Sequence, residues 1–185
     1  MFDHVTLLLS FIYVIALTHL LSCTTGLILA RGRVCFSPLL ALWMLLALGI
    51  LFNNWLSIWL LHAVERWTTG EIALSFTMAI VQYFTCSLVC IEFKSEGKVD
   101  METWYEQQRR PIIGAFASLF AVAMLANYLH RGISGPHRGS GWIGSDAILL
   151  AIFLLLIAAM GFRARWLQWT VALVMLAGEA IFIAS

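Results

Sequence analysis

Apolar residues fall in six long runs, at 5–30, 38–62, 71–90, 111–130, 147–162 and 166–184, separated by short polar gaps. At 1.5 Å of rise per residue, about 20 residues cross a hydrocarbon core about 30 Å thick, so each run is read as a transmembrane helix. The pattern predicts an all-α fold: a polytopic membrane helical bundle of six spans, forming one transmembrane domain over residues 1–185. The first run begins MFDHV, with an acid where a signal peptide carries its basic segment, and continues for about 25 residues. It is read as a retained span.

Composition sharpens this picture. Of 185 residues, 62% are hydrophobic and 11% charged, with mean hydropathy +0.91, against roughly half and a quarter in soluble domains. The gaps are too short to build a soluble domain of even about 50 residues, which places function in the membrane or at its faces. A net charge of +1 without a basic stripe excludes nucleic acid as a partner. The lipid bilayer is the expected surrounding. No segment has the ending of a phosphate-binding loop.

Lys and Arg set the orientation. The gaps after the first, third and fifth runs hold Arg31 and Arg33; Lys94, Lys98, Arg109 and Arg110; and Arg163 and Arg165. The other two gaps hold Arg66, Arg131 and Arg138. Eight against three puts both termini outside by the positive-inside rule. Interface aromatics agree, with Trp67, Tyr128 and Trp142 at the outer boundary and Trp104, Trp166 and Trp169 at the inner one. The inner stretch 95–110 predicts a short interfacial helix from Asp100, its N-cap, to Arg110, supported by a Glu106–Arg110 pair. Pro111 then opens the fourth span. The outer gap 131–146, with five glycines between Gly132 and Gly144, is read as a flexible connector. The two halves of the chain show no matched residues that would mark a repeat.

Polar residues inside the runs are the candidate chemistry. Glu179 lies about 20 Å along the sixth span from its inner start, and a carboxylate at that depth needs a proton, a partner or a wet cavity. Asn53 and Asn54 of the second span match its height. Gln82 is near the middle of the third span and His19 slightly inward of the middle of the first. Helical spacing groups Gln168, Ala172, Met175 and Glu179 on one face, Ser75, Ala79, Gln82 and Cys86 on another, and His19, Ser22 and Gly26 on a third. All three faces are expected to point inward. Gly114, Ser118 and Ala121 allow close helix approach in the fourth span. The fifth span, lacking polar residues, is assigned to the lipid-facing side. Two readings compete: the polar groups tie helices together by hydrogen bonds, or Glu179, Asn53, Asn54, Gln82 and His19 line a proton or cation route with His19 as a titratable relay.

The remaining histidines, His4, His62, His130 and His137, map to the outer face near Glu65, Glu71 and Glu179, and imidazole with carboxylate suits Zn or Cu. No two have the i,i+3 or i,i+4 spacing of helical ligands, so ordinary interfacial histidines are the competing reading. Haem would need two deep histidines, and only His19 is deep. Cys86 and Cys90, one turn apart, with Cys23 at similar depth and Cys35 in the adjoining gap, are read as small packing residues rather than a soft-metal cluster. No nucleophile elbow, HExxH or paired carboxylates occur, so neither an enzyme nor a cofactor is expected.

FDHVTLLLSFIYVIALTHLLS, FNNWLSIWLL and WYEQQRRPIIGAFA together resemble a loosely defined family of small polytopic bacterial inner-membrane proteins, over about the first two thirds of the chain. The resemblance implies a bacterial inner membrane and carries over no activity and no site residues. The sequence thus leaves three functional classes: a small-ion or proton pathway, a non-conducting structural or accessory subunit of a larger membrane complex, and an outer-face metal or ligand sensor. Self-association or a membrane-complex partner is expected in each.

Overall fold

The computed structural model describes residues 2–60, 68–91, 99–134 and 141–184. Among them are six α-helices: α1 (Phe2–Leu29), α2 (Pro38–Leu60), α3 (Thr69–Leu88), α4 (Met101–Ser134), α5 (Gly141–Gly161) and α6 (Arg165–Ala184). The fold is all-α, with 91% of the described residues helical. Four helices, over residues 4–29, 38–58, 69–88 and 101–129, are long and apolar enough to cross a membrane, and the described apolar part of α5 is shorter. Their surfaces point the same way. On α1, Leu7, Phe11, Val14, Ile15 and Leu21 are each at least 50% exposed, although the opposite face is packed. A helix apolar all round suits surroundings of hydrocarbon.

The helices close a ring in which α1 packs on α3, α3 on α4, α4 on α5, α5 on α6, α6 on α2 and α2 on α1. α2 also reaches α3 and α4, and its Leu40, Trp43, Leu46 and Ala47 are fully buried. Trp43 anchors this centre. Its indole N–H donates to the Tyr105 hydroxyl at 3.0 Å, and its ring lies 4.9 Å from that of Phe116, both on α4.

Three connections meet at one end of the bundle. After α1, β1 (Val34–Cys35) pairs in parallel with β2 (Val99–Asp100), which precedes α4, in the register Val34 to Val99 and Cys35 to Asp100. Arg165, at the start of α6, forms ion pairs with Glu102 and Glu106 of α4. Arg31, Arg33, Arg109, Arg110, Arg163 and Arg165 therefore gather at this basic end. Arg109 is only 3% exposed. Its Nη1 donates to the carbonyl oxygens of Ala159, at 3.2 Å, and Phe162, so a cation sits where the dipole of α5 leaves its unpaired acceptors.

Several expectations change here. The interfacial helix does not end at Arg110: α4 begins at Met101, capped by the Asp100 carboxylate on the amides of Glu102 and Thr103, and runs on through Pro111. Pro111 is exposed, as is Gln107, whose carbonyl proline cannot bond, so water or headgroups can satisfy that acceptor. Tyr105 of this helix is buried in the bundle, and Glu106 pairs with Arg165 instead of Arg110. Ser118 and Ala121 are exposed, leaving Gly114 to face α5, where a Cβ would meet the Met160 sulfur at 3.6 Å. The peripheral reading of α5 agrees with its exposed Ile148, Leu150, Leu154 and Ile157.

Candidate functional site

Polar side chains from three helices meet where α2 packs against α3 and α6. Adjacent residues on a helix point about 100° apart, so tandem asparagines necessarily address different neighbours. Asn53 Nδ2 donates to Glu179 Oε2 on α6 at 3.4 Å, while Asn54 Nδ2 donates to Gln82 Oε1 on α3 at 3.0 Å. Of the two asparagines matched in height to Glu179 by the sequence, Asn53 meets the carboxylate and Asn54 meets Gln82 instead.

Gln82 is the centre of the layer. It is fully buried, and its Nε2 donates to the Ala47 carbonyl of α2 at 3.2 Å and contacts Cys86 Sγ at 3.5 Å. Both ends of its amide are therefore engaged. The stripes that place these residues are visible in the burial: Ala79, Gln82 and Cys86 on α3, and Gln168, Ala172 and Met175 on α6, are each at most 2% exposed. Glu179, one turn beyond Met175, is half-buried. Ser57 donates to the Asn54 carbonyl at 2.7 Å. Other hydroxyls, including those of Thr24, Ser75 and Thr85, bond the carbonyl one turn back on their own helices and offer nothing across the bundle.

His19 does not join this layer. The packed face of α1 is Val5, Leu9, Tyr13, Ala16, Leu20 and Cys23, and both His19 and Ser22 lie on the exposed side. The inward reading of the His19, Ser22, Gly26 stripe is corrected accordingly. With apolar residues all round the helix, periodicity alone could not tell which face α3 would cover. Cys23 takes the inward place instead, with its Sγ 3.8 Å from the Ile91 carbonyl, and Cys90 Sγ lies 3.9 Å from the His19 carbonyl.

Of the outer-face metal candidates, His4 is exposed. His62 and His137 lie outside the described residues, as do Glu65 and the side chain of His130. Glu71 caps α3, its carboxylate accepting from the Thr68 amide at 2.8 Å and the Thr68 hydroxyl receiving the Glu71 amide. Among the described residues no group of three His, Cys, Asp or Glu side chains is placed to hold a metal ion.

Two residues acquire a meaning that sequence reading did not give them. Arg109 extends the buried stripe of Met101, Tyr105, Ile112 and Phe116, a signal visible only if the helix is carried through Pro111. Gln168 is fully buried, yet among the described residues neither its Oε1 nor its Nε2 has a hydrogen-bond partner. Comparison of the chain with protein-family models, with curated proteins and with solved structures found no match.

Proposed function

We propose that this chain is a six-span protein of a bacterial inner membrane, with both termini outside, whose polar layer fastens α2 to α3 and α6 and conducts nothing. Its role is that of a structural or accessory membrane subunit. The observation that carries this reading is the saturation of Gln82: a fully buried amide engaged at both ends behaves as a clasp between helices, not as a relay waiting for an ion. Toward the basic end, α3 continues with Cys86 and Val89, both fully buried, and His19 lies on the outer surface of α1. The orientation is supported by the eight-to-three distribution of Lys and Arg and by the arginines at one end of the bundle.

A second reading is favoured by one feature. The bond from Asn53 to Glu179 is long, at 3.4 Å, and leaves acceptor capacity on a half-buried carboxylate. In that reading Glu179 takes up a proton or cation from the outer side and starts a transport step. Proton and potassium fluxes into liposomes containing the purified protein or its Glu179→Gln variant separate the two. The clasp predicts that both equal protein-free liposomes. Flux through the wild type that Glu179→Gln abolishes overturns the clasp in favour of transport.

A further inference from the structure

Between α1 and α2, at the basic end, lies a groove of about 490 Å³, within the range of ligand sites. Its floor is made of buried Leu20, Met44 and Met101, and its rim of Leu21, Ile28 and Leu45, each at least half exposed, so it opens sideways from the bundle. From Leu20 to Arg31 it extends about 16 Å along α1, about half of a hydrocarbon core of about 30 Å. That is the depth of one leaflet. The walls are apolar, since the Thr24 hydroxyl is tied to the Leu20 carbonyl at 2.9 Å.

The end of the groove is different. Arg31 lines it there, exposed and without an ion-pair partner among the described residues, and Arg33 follows two residues later, also exposed. Among the described residues, no acidic side chain lines the groove. An apolar channel one leaflet deep, closed at the membrane boundary by a guanidinium that no described acidic side chain neutralises, is complementary to an amphiphile with a single anionic head. We infer that the groove holds an anionic phospholipid of the leaflet at the basic end, with an acyl chain against Leu20 and Met44 and its phosphate at Arg31. The guanidinium donates two parallel N–H bonds to phosphate oxygens; a zwitterionic head presents the same oxygens but partly neutralises their charge with its own ammonium. The inference rests on the membrane placement proposed above and is independent of whether the polar layer conducts.

The test places the full chain in nanodiscs of equal dioleoyl phosphatidylglycerol and dioleoyl phosphatidylcholine, then quantifies by mass spectrometry the lipid retained after detergent extraction. Wild type is expected to retain phosphatidylglycerol over phosphatidylcholine by about fivefold, the contribution of one basic residue near a membrane surface. Arg31→Gln, at an exposed position without partners, should bring the ratio close to one. Ala41→Trp, which fills the groove, should lower retention of both lipids. Arg31→Gln alone decides the matter if the tryptophan variant fails to fold. Equal retention by wild type, or a preference that survives Arg31→Gln, overturns the assignment while leaving the membrane placement intact. A chain that does not enter nanodiscs overturns both.

Discussion

Replacing Gln82 by leucine removes the residue that joins α2 and α3, and the consequence follows from its partners. Two cross-helix bonds disappear, from Asn54 Nδ2 at 3.0 Å and to the Ala47 carbonyl at 3.2 Å. Interhelical hydrogen bonds in membrane proteins average about 0.6 kcal/mol and reach about 1.7. The Ala47 carbonyl keeps its helical donor and loses little. The Asn54 amide, half-buried, loses its acceptor, and an unsatisfied buried polar group costs about 1–3 kcal/mol. Gln82→Leu should therefore destabilise by about 2 kcal/mol. Asn54→Leu should cost about as much, because Gln82 keeps its Nε2 bond to the Ala47 carbonyl but its fully buried Oε1 loses its donor. Removing both partners is the decisive case, since two apolar groups of similar shape leave no orphan, and the double variant should return to within about 1 kcal/mol of wild type. Reversible unfolding in mixed micelles, followed by tryptophan fluorescence, gives the cycle directly. If the double variant is as unstable as the sum of the singles, within about 0.3 kcal/mol, the two amides are not coupled and the clasp is wrong.

Gln168, buried without a partner for either amide atom, is a site where polarity opposes stability, so Gln168→Met should raise the unfolding free energy by about 1 kcal/mol; a comparable loss would mean the amide is bonded. Arg109→Met should cost about 2 kcal/mol through loss of the charged cap on α5, and hydrogen exchange should quicken at residues 158–162 before the rest of the helix, whereas uniform exchange would show that the cap is not local.

The helices were legible in the sequence because a bilayer-length apolar run leaves the backbone few alternatives. The polar layer was partly legible for a related reason. On α3 and α6 the polar residues stand among small ones, Ala79 beside Gln82 and Ala172 beside Gln168, so the closely packed face and the polar face coincide and one period marks both. On α1 no such coincidence exists. Leu20 and His19 are neighbours on a helix whose every face is apolar enough for either role, and the choice was made by the neighbouring helices α3 and α2, with Val5, Leu9, Ala16 and Cys23 on the buried side. The same logic explains Arg109. Breaking the helix at Pro111 hid that the stripe of Met101, Tyr105 and Arg109 runs on into the buried Ile112 and Phe116, and with it the burial of the cation. What sequence supplies in such a chain is depth along each helix; rotation about the helix axis is decided by neighbours. Asn53 and Asn54 are informative because, being adjacent, they sample two rotations at one depth. With α2 turned as it is, Asn53 addresses α6 and Asn54 addresses α3, so the polar contacts form at the height the sequence matched, while His19, on the exposed side of α1, does not join them.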